Sequence, residues 1–173
     1  PPTPPAHSLA RFGVFYGDIT IGSASVGSLQ GLTQTTAGRN IRLQTTAARS
    51  TSQIGYLTVN GDIGRGAINV ACVNLDMLGG GLSGSAAQIG HGDCRGVFPP
   101  LGPPFTQGEV NSSTTNTATI TVNASGYINL NSTVAGSPII TIGHGSRQYD
   151  PSSITSANQD GNITVASGNN ITL

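Results

Sequence analysis

The side chains that could carry out chemistry are few in this sequence and lie far apart. Two Ile-Gly-His-Gly motifs contain His91 and His144, and the two cysteines are Cys72 and Cys94. General acid–base hydrolysis and calcium binding both need clustered carboxylates. The seven acidic residues are instead scattered, at Asp18, Asp62, Asp76, Asp93, Glu109, Asp150 and Asp160. We therefore expect no catalytic residue, no metal site, no cofactor and no enzyme activity, unless folding gathers two of these carboxylates.

The two histidines occupy equivalent positions of a repeated motif, so stacking would bring them together. A metal-binding ladder is one interpretation, but the first copy of the motif has Tyr56 at this position and no acidic residue repeats in register with it. We favour the other interpretation, a turn in which glycine permits a positive φ and the ring packs on its neighbour. The predicted turn residues are Ile54, Gly55, Tyr56, Ile89, Gly90, His91, Ile142, Gly143 and His144.

Cys72 and Cys94 enclose a segment that is rich in Gly and Ser. In an exported protein we expect them to form a disulfide, and closing this loop would stabilise the fold by about 3 kcal/mol. The alternative is two buried thiols. The spacing matches no zinc-binding pattern, so the prediction is structural in either case.

The composition indicates β structure with many tight turns. Only 8% of the residues are charged, against roughly 25% in ordinary globular domains. Gly, Ser, Thr and Asn are abundant, and they favour turns and half-exposed strands. The formal net charge is zero, which argues against a nucleic-acid partner. No apolar run approaches the roughly 18 residues that cross a bilayer, so we expect no membrane insertion.

Segments of about 50 residues resemble one another along the chain. The segment 68–75 leads to the Ile-Gly-His-Gly motif at 89–92, and the segment 120–130 leads to its copy at 142–145. The two motifs are 53 residues apart, and the preceding Ile-x-Val motifs are 52 apart. The predicted units are 17–60, 61–117, 118–160 and a partial unit 161–173, after a Pro-rich amino-terminal arm, 1–16, that could act as a cap or joining strand.

Within each unit, aliphatic residues alternate with polar ones, as in half-buried strands. The side chains predicted to face inward are Ile19, Ile21, Ile41, Leu43, Ile120, Val122, Ile128 and Leu130. Strands this short cannot close a core alone, but stacked turns bury a continuous aliphatic column. We therefore predict an all-β fold, a parallel β-solenoid of about 50-residue repeats. A unit has room for two coils, with the Pro-containing insertion 95–116 as a loop. A β-sandwich also suits short strands but gives no reason for the repeat.

The repeated strings Gly-x-Ile-Thr-Val and Gly-x-Ile-x-Leu, with Ala-Gln-Ile-Gly-His-Gly at 87–92, resemble the repeats of filamentous-haemagglutinin-type bacterial exoproteins and adhesins. The resemblance covers roughly residues 17–173. It implies a right-handed parallel β-helix in a secreted protein of the bacterial cell surface, with a role in adhesion or in a filament. It supplies no catalytic residues. The two cysteines and the length of 173 residues depart from such stems, so the chain is either a segment of one or a small subunit built from the same repeat.

The two ends of a solenoid expose unpaired strand edges and an apolar cross-section. No polar cap is recognisable beside the repeat 161–173, and aromatic residues precede the first unit. We therefore expect copies of the chain to assemble head-to-tail into a filament by β-strand stacking. The predicted interface residues are Phe12, Val14, Phe15, Tyr16, Ile163, Val165, Ile171 and Leu173. The alternative is a monomeric surface-adhesin module whose partner is a glycan or a host protein.

Overall fold

The computed structural model describes residues 10–14, 16–22, 24–28, 30–45, 51–56, 63–79, 85–92, 115–131, 139–144 and 161–173. Within these ranges every helix or strand that forms is a short β-strand. In chain order the strands are β1 (Ala10–Val14), β2 (Ile19–Ile21), β3 (Ser25–Val26), β4 (Thr33–Ala37), β5 (Asn40–Gln44), β6 (Thr51–Ile54), β7 (Ile63–Gly64), β8 (Ile68–Cys72), β9 (Asn74–Leu78), β10 (Ala86–Ile89), β11 (Thr115–Asn116), β12 (Ile120–Ala124), β13 (Ile128–Asn131), β14 (Ile139–Ile142), β15 (Ile163–Ser167) and β16 (Ile171–Thr172).

The strands form parallel sheets whose members come from successive circuits of the chain. Sheet A has the order β1-β4-β8-β12-β15, and sheet B has the order β16-β13-β9-β5-β2. Sheet C has the order β14-β10-β6-β3, and β7 pairs with β11 in a small two-stranded sheet. Parallel pairing needs a long connection between partners, and here the rest of the coil supplies it. The arrangement confirms the predicted all-β class and fits a parallel β-solenoid.

Each coil is one circuit of the chain through sheets A, B and C. Residues Ala10, Thr33, Ile68, Ile120 and Ile163 occupy the same register position in sheet A. The differences between these positions give circuits of 23, 35, 52 and 43 residues. The expectation of two coils in a unit is not met between Ile68 and Ile120, because β8 pairs directly with β12. Of the predicted insertion, residues 95–114 lie outside the described residues, and Thr115–Asn116 forms β11 beside β7.

The expectation of two coils in a unit is met in the first part of the chain, where 17–60 contains β2 and β3 of one coil and β4, β5 and β6 of the next. Ile19 pairs with Ile41 and Ile21 with Leu43, so β2 and β5 are neighbours in sheet B. The segment 17–60 therefore spans parts of two successive coils. The Ile-x-Ile pattern does not show this, because it suits a strand of either sheet. Residues 10–14, which the sequence placed in the arm, form β1 at the edge of sheet A. Residues 1–9 lie outside the described residues.

The core is the predicted set of aliphatic columns. Ile41, Leu75 and Ile128 are fully buried and follow one another in register in sheet B. Ile120 and Val122 are fully buried, and Ile19 and Leu130 are partly buried against the core. The prediction that these side chains face inward is confirmed. Full burial of such a side chain stabilises the fold by about 1.5–3 kcal/mol, so the columns are the main source of stability.

Sheet C departs from simple alternation. All four residues of β6 and all four of β10 are buried, so both faces of these strands are covered. Gln53 and Gln88 are among the fully buried side chains. Because buried amides must find hydrogen-bond partners, this corner of each coil requires specific polar contacts.

Candidate functional site

The repeat-turn motifs meet at the end of sheet C. Ile89 pairs with Ile54 on one side and with Ile142 on the other. The residues that follow each of them, a glycine and then a tyrosine or histidine, are thereby stacked on successive coils. The turn motifs are thus a single structural column, which we call the motif column (54–56, 89–91 and 142–144).

The glycines of the motif column allow the coils to approach closely. A Cβ atom added at Gly55 would lie 2.0 Å from the carbonyl oxygen of Gly90, and one added at Gly90 would lie 1.9 Å from that of Gly143. Their φ values of 140° and 154° are in the range that L side chains rarely adopt. Gly27 continues the column, because a Cβ there would lie 2.5 Å from the carbonyl oxygen of Gly55. Only glycine fits these positions.

Two buried glutamines join the coils beside these glycines. Nε2 of Gln53 donates to the carbonyl oxygens of Gly90 and Gly92, each at 2.8 Å. Nε2 of Gln88 donates to the carbonyl oxygens of Gly143 at 3.0 Å and of His91 at 3.3 Å. Gln53 therefore satisfies two carbonyls of the following coil's turn, and Gln88 satisfies one carbonyl of the following coil and one of its own turn.

The histidines link the coils through both ring nitrogens. Nδ1 of His91 accepts a hydrogen bond from the backbone N–H of Tyr56 at 3.1 Å, and its Nε2 lies 2.7 Å from the carbonyl oxygen of Gly66. His144 repeats the arrangement: its Nδ1 accepts from the N–H of His91 at 3.1 Å, and its Nε2 lies 2.8 Å from the carbonyl oxygen of Ala118. Since Nδ1 is an acceptor, the proton of each neutral ring is on Nε2, which donates to the carbonyl.

The two rings also stack on each other. Their planes are 3° apart and their centroids are 5.5 Å apart. Burial, the largest effect, lowers the pKa of His91 below its usual value, the bond to Gly66 raises it, and the nearby His144 lowers it. Burial also lowers the pKa of His144, against the effect of its bond to Ala118. The neutral form is therefore favoured for both rings.

The acidic residues are not gathered within the part of the chain that the structure describes. Asp18 accepts a 2.9 Å bond from the backbone N–H of Asn40, on sheet B's neighbouring coil. Asp62, Asp93, Glu109, Asp150 and Asp160 lie outside the described residues. Among the described residues no three His, Cys, Asp or Glu side chains form a group that could hold a metal ion.

Asp76 belongs instead to a small polar cluster on the outside of sheet B. Its two carboxylate oxygens accept from Nδ2 of Asn129 at 3.1 Å and from the hydroxyl of Tyr127 at 3.3 Å. The charge of Asp76 is the main cause that raises the pKa of Tyr127. The ring of Tyr127 is exposed, so this cluster presents an aromatic face, an amide and a carboxylate to solvent.

Cys72 is a free, buried cysteine in the structure, which corresponds to the alternative of a buried thiol and not to the predicted disulfide. It lies on β8 and belongs to the core cluster. Burial is the largest effect on the thiol and raises the pKa of Cys72 to about 11. Its predicted partner, Cys94, lies outside the described residues.

Of the residues predicted for assembly that the structure describes, most lie on β1, β15 and β16, and Tyr16 and Leu173 lie just outside these strands. Ile163 and Ile171 are 47% and 49% exposed, whereas Ile120 and Ile128, one coil further in, are fully buried. Leu173 is exposed and Val165 is half-buried. At the opposite end of sheet A, Val14 and Tyr16 are exposed. Phe15 and the side chain of Phe12 lie outside what the structure describes.

Sequence reasoning missed the polar residues that hold successive coils together. Gln88 stands within the motif quoted at 87–92, but no sequence pattern assigned a role to Gln53, Gln88 or Asn74. Asn74 donates to Oδ1 of Asn40 at 2.8 Å and accepts from the backbone N–H of Tyr127 at 3.1 Å. The available signal was the recurrence of Asn directly before Ile41, Leu75 and Ile171.

Comparisons with known proteins assign the chain to no family. No protein-family model matches the chain, no curated protein matches it, and no solved structure matches it. Among the described residues, no helix has the length and apolar character needed to span a bilayer.

Proposed function

We propose that the chain is a structural module of an extracellular bacterial filament or adhesin stem, and not an enzyme. The observation that carries the proposal is the unbroken register from Ala10 through Ile68 and Ile120 to Ile163, with aliphatic columns inside. In a stack of this kind each coil contacts only its neighbours, so the same architecture can be extended coil by coil, which suits a stem.

The use of the polar side chains supports a structural role. Both ring nitrogens of His91 and of His144 are hydrogen-bonded to backbone groups, so neither neutral ring has a free nitrogen with which to bind a metal. Gln53 and Gln88 are likewise bonded to the next coil. These groups stabilise the solenoid, and we propose that the module needs no cofactor.

In the proposed filament, copies of the chain stack head-to-tail through their outermost strands. Among the described strands, β15 and β16 each pair on one side only, and Ile163, Ile171 and Leu173 are exposed beside them. β1 is the edge of sheet A at the other end, beside the exposed Val14 and Tyr16. Unpaired parallel edges bind a further strand by backbone hydrogen bonds, and burial of the exposed side chains adds affinity.

The finer features of the proposal come from the resemblance to filamentous-haemagglutinin-type exoproteins. They are a right-handed β-helix and secretion to the bacterial cell surface. The Pro-rich amino-terminal arm at 1–16 is proposed from its own composition, and its residues 10–14 form β1. The repeat of about 50 residues is proposed as the full unit, which the circuit from Ile68 to Ile120 represents. The shorter circuits then carry smaller insertions on the same coil.

A second candidate function is a monomeric adhesin module that binds a glycan or a host protein. The cluster of Asp76, Tyr127 and Asn129 favours this function, because carboxylate, amide and aromatic groups together suit a sugar ring. Glycan binding that is lost in Tyr127→Ala, by a protein that stays monomeric, would favour this candidate over the filament.

Electron microscopy of the purified chain, with its mass in solution measured in parallel, tests the filament. Ile163→Asp with Ile171→Asp places charge on the exposed apolar end, and we expect this variant to stay folded without forming fibres. Thr164→Asp with Thr172→Asp is the matched control, because both threonines are exposed and alternate with those isoleucines. A wild-type chain that stays monomeric at all concentrations, or fibres from the first variant, would overturn the proposal.

A further inference from the structure

Each described histidine bridges two corners of the coil that precedes it. Tyr56 follows β6 at the end of sheet C, and Gly66 precedes β8 at the start of the next strand of sheet A. The ring of His91 accepts from the first and donates to the second. The ring of His144 does the same between His91, after β10, and Ala118, before β12.

This pair of hydrogen bonds requires a neutral ring with its proton on Nε2. Protonation of Nδ1 would turn the acceptor into a donor that faces the N–H of Tyr56 or, one coil later, of His91. Two donors cannot share a hydrogen bond, so the contact across the coils would be lost. The bond to the carbonyl of Gly66 or Ala118 could persist.

We propose that His91 and His144 form an acid-sensitive clamp between successive coils, closed while the rings are neutral and opened when they are protonated. The proposal is independent of filament formation, because all its contacts lie within one chain. The proposal goes beyond ring packing in a turn, because Nδ1 of a histidine changes from acceptor to donor when it is protonated. The side chain of Tyr56, at the equivalent position, has no ring nitrogen that could do this.

The surroundings offer little to stabilise a charged ring. His91 is fully buried and its only described neighbour that acts on it by charge is His144, which would itself become positive. The other described titratable residues beside the contacts are Tyr56 and Arg65, and Arg65 is exposed next to Gly66. In the described part of the chain, no carboxylate contributes to the pKa of either ring.

The direction of the pH dependence follows from these pKa values. Burial, the main cause, holds the folded-state pKa of both rings below the usual value of 6.5. Between the folded and unfolded pKa the unfolded chain binds more protons, so stability rises with pH in that window. The clamp's contribution is complete above pH 6.5 and is lost as the pH falls through this window.

Hydrogen exchange followed by NMR on the full chain tests the clamp. The amides of Tyr56 and His91 donate to the two Nδ1 atoms, so their protection factors, corrected for intrinsic rates, should fall about tenfold once imidazole ¹⁵N shifts show that lowering the pH has protonated the rings. The amide of Ile120, which bonds to the carbonyl of Asn162, should change less. Imidazole ¹⁵N shifts should show the Nε2–H tautomer at pH 7.5.

The double variant His91→Gln with His144→Gln is the matched control. Glutamine keeps an acceptor and a donor but does not titrate, so the fall in protection should disappear, and His7 remains in both proteins. If the variant does not fold, the wild-type titration decides alone. An Nδ1–H tautomer, or full protection of both amides after the rings are protonated, would overturn the proposal.

Discussion

Nε2 of Gln53 donates a 2.8 Å hydrogen bond to the carbonyl oxygen of Gly90, a residue of the next coil. The Oε1 of the same side chain accepts a 2.7 Å bond from the hydroxyl of Ser25, a residue of the previous coil. One buried amide thus connects three successive coils. The aliphatic columns supply most of the driving force, and such amides determine which residues of adjacent coils lie opposite one another.

Replacing Gln53 should therefore lower the free energy of unfolding more than replacing a half-buried glutamine that faces outward. Gln53→Met keeps the side-chain length but leaves buried carbonyls of Gly90 and Gly92 without this donor. We expect the free energy of unfolding to fall by about 1–3 kcal/mol for each unpaired group, measured by urea denaturation. Gln34→Met, on the outward side of β4, is the control and should change it by less than about 0.5 kcal/mol. Equal effects of the two substitutions would contradict the role assigned to Gln53.

Gly90→Ala should prevent normal stacking of the motif column. The added Cβ would lie 1.9 Å from the carbonyl oxygen of Gly143, and φ at this position is 154°. We expect a loss of about 3 kcal/mol or more, or a failure to fold, measured by thermal and urea denaturation. Gly22→Ala is the control, because nothing lies within 4 Å of a Cβ there. If both variants unfold at the wild-type midpoint, the close approach of the coils is wrong.

Two buried threonines of β4 should respond in opposite directions to substitution by valine. The hydroxyl of Thr35 is buried and has no hydrogen-bond partner among the described residues, whereas Oγ1 of Thr33 accepts from the backbone N–H of Ser28 at 2.9 Å. Thr35→Val should raise the free energy of unfolding by about 1 kcal/mol, and Thr33→Val should lower it by about 1 kcal/mol. Calorimetry of both variants checks the signs, and a stabilising Thr33→Val would contradict the assignment.

Cys72 should be almost unreactive in the folded protein. The thiolate is the reactive form, and burial raises the pKa of this thiol to about 11. In a Cys94→Ser variant, which isolates Cys72, we expect alkylation at pH 8 to be slow until urea unfolds the chain. Mass spectrometry of the unreduced wild-type protein tests the disulfide directly. A Cys72–Cys94 bridge there would show that the free thiol of the structure is not the state of the oxidised protein.

The sequence by itself determined the class of fold and the direction of the aliphatic side chains. In Asn40–Gln44, polar and aliphatic residues alternate, and Ile41 and Leu43 are buried as that pattern predicts. Alternation is a local property, because successive side chains of any strand point to opposite faces. The repeat of Ile-Gly-His-Gly also placed the histidines at equivalent positions, and these rings are stacked.

Only the tertiary structure decided which strands pair with one another in a sheet. The Ile-x-Ile pattern of Ile19–Ile21 resembles the Ile-x-Val strands of sheet A as much as the Ile-x-Leu strands of sheet B. Its pairing with Ile41–Leu43 assigns it to sheet B. The physical reason is that parallel partners are joined through a whole coil of variable length, so no local pattern determines the pairing. The same holds for His91 and Gly66, whose bond joins residues 25 positions apart in the chain. The repeated motif predicted that the histidine rings would stack. Only the folded coils showed which backbone groups form hydrogen bonds with the two nitrogens of each ring.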